Sequence, residues 1–251
     1  RNKAAVVTCR FHGWVYDARG KIVQVPEENK FHADFDKDKN GLTPVHTDVW
    51  EGFIFVNLDP SETVVPLAEF LGGMGTHLAG FPYEELGQCF SYHTYLDCNW
   101  KVAHDAFAEA YHVATIHAGS FPNVFSSGLQ NVELFGPHRT TAICLSLNAE
   151  PTPVAKIANS LATGSLVAKR STSMLPPTVN PDRREDFSFE LSVLFPNLLL
   201  HISEGIWFTH QFWPVAHNKT LWEGKYYVRS ANTNSQRWAL EHAQCLQRNA
   251  W

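Results

Sequence analysis

The chain has 251 residues, of which 44% are hydrophobic and 18% are charged, and its formal net charge at pH 7 is −5. This composition indicates a globular protein with a core of its own, excludes a disordered chain and argues against a nucleic-acid-binding protein. No apolar run reaches the roughly 18 residues of a membrane span, and the five scattered cysteines form no disulfide framework, so a cytoplasmic protein is predicted.

The amino-terminal part of the chain is predicted to be a small β domain. Residues 5–17 are expected to form a strand, a ligand loop and a second strand, and a turn and a third strand follow at 18–25. Residues 49–58 are predicted to form one further strand. Because residues 61–90 are rich in Gly and Pro, they are expected to be a linker with a short helix near 67–71.

The rest of the chain is predicted to combine helices with an antiparallel meander. A helix is expected at about 98–118, a strand at 142–147, and a helix or a loop over a pocket mouth at 155–170. Four strands separated by turns follow, at 187–194, 198–202, 206–213 and 220–229. The final helix is expected to begin with an Asn cap at Asn234 and to place Trp238, Cys245 and Leu246 on one side. These elements predict an α+β fold in which a curved antiparallel sheet grips a helix.

The predicted helix at 98–118 carries acids and histidines at suggestive spacings. Asp105, Glu109 and His112 have the spacing of one helix face, and a solvated face is the plain alternative. His117 lies five residues after His112, a rotation of about 140° in an ideal helix, so the two imidazoles converge only if the helix ends or bulges between them. Two histidines and one carboxylate with open positions suit non-haem Fe(II). Tyr111 is expected to pack.

A second motif stands near the start of the chain, where a Cys/His pair, Cys9-x-x-His12, is followed by Gly and Trp. This pair, together with the acids and histidines after Asn99-Trp100-Lys101, resembles the Rieske non-haem iron oxygenases. The group it resembles most is the large (α) subunit of the aromatic-ring-hydroxylating dioxygenases. The resemblance implies the C-terminal part of a Rieske [2Fe-2S] domain at 1–60 and a mononuclear-iron catalytic domain at 61–251.

The resemblance also implies roles for single residues. Four would bind metal: Cys9 and His12 the cluster, His112 and His117 the Fe(II). Glu109 would link an iron-binding histidine to a cluster-binding histidine of the neighbouring subunit, although the family usually has Asp at this position. Asp105 would support the iron or its histidines from one turn earlier.

The resemblance further implies that two parts of the metal sites lie elsewhere. The family places a Cys-x-His pair of the cluster upstream of Arg1 and an Asp ligand of the iron downstream of Trp251. The sequence is therefore expected to be a fragment truncated at both ends, which as it stands neither assembles the cluster nor turns over.

The activity implied is that of a terminal oxygenase in aromatic catabolism. It would use O2 and supplied electrons to hydroxylate an aromatic or other small apolar substrate, with ring cis-dihydroxylation as the expected reaction. The electrons would come from NAD(P)H through a separate reductase, with or without a ferredoxin, because the chain has no dinucleotide fingerprint. A homotrimer, or an α3β3 assembly with a small β subunit, is implied, without nucleic-acid or membrane partners.

Three other interpretations stay open. A Rieske monooxygenase or demethylase would use the same two sites, a metal-free helix-grip protein would only bind a ligand, and a structural zinc protein would use the same Cys and His residues. The long separation between the two motifs disfavours zinc. Position and apolarity alone nominate five residues for the pocket: Phe121, Phe125, Leu200, Phe208 and Phe212.

Overall fold

The computed structural model of the chain describes residues 5–119, 131–146, 153–154, 156–157 and 174–250. The chain divides into two compact units, Arg1–Leu67 and Ala68–Trp251. The assignment of a Rieske part to 1–60 and a catalytic part to 61–251 stays a prediction. In the described ranges, no helix has both the length and the apolar character that a membrane span requires.

The first unit begins with a three-stranded antiparallel sheet. Its strands are β1 (Val6–Thr8), β2 (Val15–Asp17) and β3 (Ile22–Gln24), in that order. In the turn between β2 and β3, the Asp17 carboxylate accepts hydrogen bonds from the backbone N–H groups of Arg19 and Lys21. Gly20 has φ 80°, a left-handed conformation that glycine adopts without strain. The predicted strands and turn are therefore confirmed.

The single strand predicted at 49–58 is wrong, because the structure has a hairpin there. The hairpin consists of β4 (His46–Trp50) and β5 (Phe53–Asn57). Glu51 and Gly52 form the two-residue loop with φ 48° and 84°. Two successive positive φ angles give a turn whose twist matches that of paired antiparallel strands, so the chain reverses instead of continuing.

The second unit is built around a seven-stranded antiparallel sheet with the strand order β6-β12-β11-β10-β9-β8-β7. Its strands are β6 (Gln88–Leu96), β7 (Val132–Phe135), β8 (His138–Cys144), β9 (Phe187–Leu194), β10 (Leu198–Ser203), β11 (Ile206–Ala216) and β12 (Lys219–Val228). Its helices are α1 (Leu67–His77), α2 (Trp100–Phe107), α3 (Val113–Ile116) and α4 (Asn234–Ala250). The predicted α+β class with a large antiparallel sheet is confirmed, and so is the four-strand meander.

Several boundaries differ from the predictions. The edge strand β6 occupies the end of the predicted linker, and β8 begins four residues before the predicted strand at 142–147. α1 consists of two helical stretches that meet at a non-helical kink at Gly72 (φ 48°, ψ −130°), and the second stretch, which ends at His77, was not predicted. Most of the segment predicted as a helix or loop at 155–170 lies outside the described residues.

Helices cover both faces of the large sheet. On one face, Ala103 and Phe107 of α2 pack against Phe212 and Trp222. Further along the same face, Leu240 of α4 packs in a cluster of buried strand residues. On the opposite face, α1 is joined to β9 by a buried hydrogen bond, 2.6 Å long, between an imidazole of the helix and a carboxylate of the strand.

The cap and the buried side of α4 also differ from the predictions. Thr233, not Asn234, caps the helix: its Oγ1 accepts the backbone N–H of Gln236 at 3.2 Å, and Gln236 Oε1 accepts the backbone N–H of Thr233 at 3.2 Å. This reciprocal pair is a capping box. The helix buries Ala239 and Leu240, whereas Trp238 is 44% exposed. Of the side predicted to be packed, Trp238 and Cys245 are exposed, so that prediction is wrong for these two residues.

Replacing Thr233 by alanine is expected to lower the free energy of unfolding by about 1 kcal/mol, the usual cost of losing a side-chain cap. Thr233 is exposed, so little packing is lost with its hydroxyl. Urea denaturation measures the free energy of unfolding of Thr233→Ala and of Thr233→Ser, and the serine variant is the control because it keeps the hydroxyl. Equal stabilities of the two variants would show that the hydroxyl does not stabilise the helix.

Candidate active site

The segment that carries the metal-type motif is a broken helix. α2 begins after Asn99, whose side chain accepts the backbone N–H of Lys101 at 3.0 Å, and it ends at Phe107. An irregular stretch follows, and α3 then makes a single turn. The continuous helix predicted at 98–118 is therefore wrong.

The short helix α3 joins the two motif histidines. His112 immediately precedes α3 and His117 immediately follows it. Their ring centroids are 5.2 Å apart, with 64° between the ring planes. The sequence predicted that convergence requires a helix that ends or bulges between the two histidines, and α3 does end between them, at Ile116.

Glu109 lies in the break and holds His112. Its Oε2 accepts the backbone N–H of His112 at 3.2 Å and also that of Tyr111, and its Oε1 is hydrogen-bonded to His112 Nδ1. A carboxylate only accepts, so the proton lies on Nδ1 and the lone pair of Nε2 is left for a metal. Glutamate thus contacts this imidazole despite being one methylene longer than the family's usual Asp.

The structure gives the Asp105 side chain partners outside the histidine pair and leaves the Tyr111 side chain exposed. The Asp105 side chain is 72% exposed, and its Oδ1 lies 3.2 Å from Arg139 Nη2 and 3.5 Å from His104 Nδ1. Because α2 ends at Phe107, the helix face assumed to join Asp105 to Glu109 does not continue. Tyr111 is 95% exposed, so the prediction that it packs is wrong.

A cavity of about 530 Å³ opens between the broken helix and the sheet. The helix side contributes Ala106, Phe107, Glu109, Ala110, His112, Val113, Ile116 and His117; the sheet contributes Ile143, Phe189, Leu191, His201, Phe208 and His210; and α4 contributes Gln247. Cross-strand pairing explains the sheet set, because Leu191, His201 and Phe208 are register partners on three neighbouring strands. Most of this lining is apolar, as expected of a small-molecule site.

Of the five residues nominated for the pocket, Phe208 lines the cavity. Leu200 pairs with Thr209 and so faces the opposite side of the sheet from Phe208. Phe212 is on the cavity face but fully buried, with its ring centroid 5.3 Å from that of Phe107, so it belongs to the core. Phe121 and Phe125 lie outside the described residues.

Two histidines of the cavity wall were missed from the sequence, His201 on β10 and His210 on β11. Burial lowers the pKa of His210 to about 3, and burial together with the neighbouring His210 lowers the pKa of His201 well below 6.5. Both are therefore neutral near pH 7. Alternation along β10 could have found His201, because a polar residue facing inward interrupts the apolar run of that strand.

The donor chemistry of His112 and His117 fits a divalent transition metal. The pKa of His117 is lowered by burial and by the neighbouring His112, which favours the neutral imidazole that metals bind. In the ranges that the structure describes, no group of three or more His, Cys, Asp or Glu residues is arranged to hold a metal ion. The described part of the chain therefore offers two convergent imidazoles and no complete ligand set.

Cys9 and His12 lie together in the loop that joins β1 to β2. The backbone N–H of Cys9 donates to Trp14 at 2.8 Å, and the Cys9 carbonyl accepts from Gly13 at 2.9 Å, so this loop is held by hydrogen bonds across its base. Cys9 is a free thiol, and His12 is exposed. One thiol and one imidazole are half of the ligands of a Rieske cluster, and they fit that role.

Comparison with protein families decides the classification. A family model described as the ring hydroxylating alpha subunit (catalytic domain) matches residues 81–251, and the model of the Rieske [2Fe-2S] domain matches residues 1–46. The chain belongs to the ring-hydroxylating α-subunit family. The resemblance inferred from the two motifs is thereby confirmed, and the family supports a Rieske cluster and a mononuclear iron as cofactors.

Relatives in this ring-hydroxylating family include dioxygenases and monooxygenases. The chain is 34% identical to the anthranilate 1,2-dioxygenase large subunit of Acinetobacter baylyi over 123 residues, which is 47% of this chain and 26% of that protein. It is also 34% identical to the carnitine monooxygenase oxygenase subunit of Escherichia coli over 117 residues, 45% of this chain and 30% of that protein. The matched part is thus about a third or less of these relatives.

Solved structures of the same class share the fold. A quaternary ammonium Rieske monooxygenase in complex with an inhibitor superposes with a TM-score of 0.69 at 17% identity, covering 98% of this chain and 58% of that one. Naphthalene 1,2-dioxygenase from Rhodococcus bound to indole gives a TM-score of 0.64 at 18% identity, covering 93% and 57%. At such low identities, this likeness concerns the fold alone.

Proposed function

We propose that this α-subunit chain carries the catalytic site of an oxygenase component that uses O2 and supplied electrons to hydroxylate an aromatic or other apolar substrate. The observation that supports this most is the convergence of His112 and His117 at the wall of a largely apolar cavity. An imidazole pair next to an apolar pocket suits a metal that reacts with O2 while an apolar substrate is bound beside it.

His112 and His117 would hold Fe(II), which when bound supplies the capacity to activate dioxygen with electrons from outside the site. The chain's own residues prepare that site. Glu109 fixes the orientation and tautomer of His112, and the aromatic wall of Phe107, Phe189 and Phe208 holds the substrate and limits access of water.

We propose that electrons arrive through a Rieske cluster bound in part by Cys9 and His12, from NAD(P)H by way of a reductase and, in some systems, a ferredoxin. The Glu109 side chain is 42% exposed, so its carboxylate is accessible to a second chain. This supports the link from Glu109 to a cluster-binding histidine of a neighbouring subunit, in a homotrimer or an α3β3 assembly.

A cytoplasmic location stays a prediction from the cysteine pattern.

A monooxygenase or demethylase acting on a quaternary ammonium compound is the second candidate. The relatives named carnitine monooxygenase favour it, and an aromatic wall attracts a cationic headgroup through cation–π contacts. A metal-free ligand-binding protein would use the same cavity without oxygen chemistry.

Isotope labelling separates these outcomes. The α subunit in a form that completes both predicted metal sites is supplied with Fe(II), an electron donor and ¹⁸O2, and is offered naphthalene or carnitine. Two ¹⁸O atoms in a dihydroxylated naphthalene product support ring dioxygenation, whereas one ¹⁸O atom in the product supports the monooxygenase. Absence of ¹⁸O from all products, with iron bound, would exclude both in favour of a ligand-binding role.

Replacing Glu109 by glutamine is expected to weaken Fe(II) binding by about 10–100-fold, the usual effect of losing the partner that orients a metal-binding histidine. The amide keeps the length of the side chain but places an N–H donor group where a carboxylate oxygen now accepts. Anaerobic equilibrium dialysis with Fe(II) measures the change.

Glu84→Gln is the matched control, because Glu84 is an exposed acid in the 3₁₀ helix Tyr83–Glu85, away from the cavity. If Glu109→Gln and Glu84→Gln bind Fe(II) equally well, Glu109 does not position His112 for a metal.

A further inference from the structure

His201 is a buried polar side chain with no hydrogen-bond partner in the part of the chain that the structure describes. It is 7% exposed, it lines the cavity, and neither Nδ1 nor Nε2 has a partner among the described residues. Buried polar atoms are nearly always paired, so each such exception in a binding cavity indicates a group that a ligand can satisfy.

The neighbouring rings fix the plane of His201 and leave its two nitrogens uncommitted. Its ring stacks on Phe189, with centroids 5.2 Å apart and 8° between the planes, and it lies 4.7 Å from the ring centroid of Phe208. His210 and His138 contrast with it. His210 Nδ1 accepts the indole N–H of Trp222 at 3.2 Å, and both nitrogens of His138 have backbone partners.

Charge narrows the chemistry that His201 can recognise. Its pKa lies well below 6.5 because of burial and the neighbouring His210, so its imidazole is neutral near pH 7, with one N–H donor and one acceptor nitrogen. No Lys or Arg lines the described cavity, and the one carboxylate there is bonded to His112. In the metal-free protein, an anionic substituent would therefore be buried without a counter-charge, which is costly.

We propose that His201 is a specificity-determining residue that hydrogen-bonds an uncharged hydroxyl or amino substituent on an apolar, ring-sized substrate. This inference rests on the proposed function, because it assigns the substrate class of that same cavity. Since no described residue fixes the tautomer of His201, its N–H can donate a hydrogen bond to an oxygen or a nitrogen of the substituent, or its other ring nitrogen can accept one from it. The volume of about 530 Å³ admits a two-ring aromatic body.

Equilibrium binding of three probes of one size to the metal-free protein tests the inference. The probes are 1-naphthol, 1-methylnaphthalene and 1-naphthoate. The binding of each is measured by calorimetry or by tryptophan fluorescence. The expected result is that the preference for 1-naphthol over 1-methylnaphthalene falls about tenfold in His201→Phe, which keeps a flat ring but loses both nitrogens. His201→Gln, which can still hydrogen-bond, should retain part of the preference, and 1-naphthoate should bind more weakly than 1-naphthol.

His93→Phe is the control, because His93 is an exposed histidine of the edge strand β6. Three results would overturn the inference: an unchanged preference in His201→Phe, tighter binding of 1-naphthoate than of 1-naphthol, or no binding of any probe to the folded wild-type protein. Because binding is measured without iron, it is independent of the labelling experiment. If the preference for 1-naphthol falls in His201→Phe but no product carries ¹⁸O, the oxygenase alone is refuted. If ¹⁸O is incorporated but the preference is unchanged in His201→Phe, the role of His201 alone is refuted.

Discussion

Substitution of His112 or His117 by alanine is expected to weaken Fe(II) binding at least about 100-fold, beyond the 10–100-fold effect of losing a supporting hydrogen bond. The two imidazoles converge at the cavity wall, and either one alone leaves a single donor whose affinity for a divalent metal is weak. Iron per chain, determined after anaerobic loading and desalting, measures the effect. Zinc carried through purification at one per chain would instead favour a structural metal site.

His93→Ala serves as the matched control for these variants, since it removes an exposed histidine outside the cavity. Iron content that remains at the wild-type level in both His112→Ala and His117→Ala would exclude the pair as metal ligands. A loss in all three variants would indicate adventitious binding to histidines in general.

Replacing Glu190 by alanine is expected to lower the free energy of unfolding by about 3–5 kcal/mol, the cost of removing one partner of a buried ion pair. Glu190 is 4% exposed, and its Oε1 lies 2.6 Å from His77 Nε2, where it joins α1 to the sheet. Ser192 donates a further hydrogen bond to the same oxygen at 3.3 Å. Glu190→Gln keeps an acceptor and should lose less, so urea denaturation of the two variants separates charge from hydrogen bonding.

The same pair predicts how stability depends on pH. Burial alone would lower the pKa of His77, but the hydrogen bond and charge of Glu190, with a contribution from Glu133, outweigh it and raise that pKa above 6.5. The stabilisation is therefore complete below pH 6.5 and is lost as pH rises through the folded-state pKa. Wild-type protein should lose stability over this window and Glu190→Ala should not. A parallel decline in both proteins would contradict the assignment.

Strand positions could be predicted from local sequence where the alternation of apolar and polar side chains and the turn residues indicate the same strand ends. β9 matches its predicted limits, and β10, β11 and β12 differ by a few residues at their ends, because Pro196-Asn197, Ser203-Glu204-Gly205 and Pro214–Asn218 separate apolar alternating runs. The hairpin of β4 and β5 was missed because Glu51-Gly52 interrupts an otherwise continuous apolar run. β6 was missed because it pairs with β12, more than a hundred residues away in sequence.

The chemistry of the site was predictable in part. The spacing of Glu109, His112 and His117 nominated three residues that the structure brings together, and their role as a metal site stays a prediction from residue type and spacing. The same spacing placed Asp105 on their face, since an ideal helix was assumed beyond Phe107. The inward side of β10 was misjudged by one residue, Leu200 in place of His201, and a shift of one residue in a strand reverses the face.

α3 is only four residues long, and it stands between the two histidines. One turn of helix cannot persist by itself, because the entropy lost in nucleating it exceeds what its few hydrogen bonds return. Its shape therefore depends on the carboxylate that accepts the backbone N–H groups before it and on anything that His112 and His117 bind together. Ion binding and the local folding of α3 are therefore coupled. A bound ion stabilises the ordered α3 by the same amount as an ordered α3 strengthens the binding of the ion.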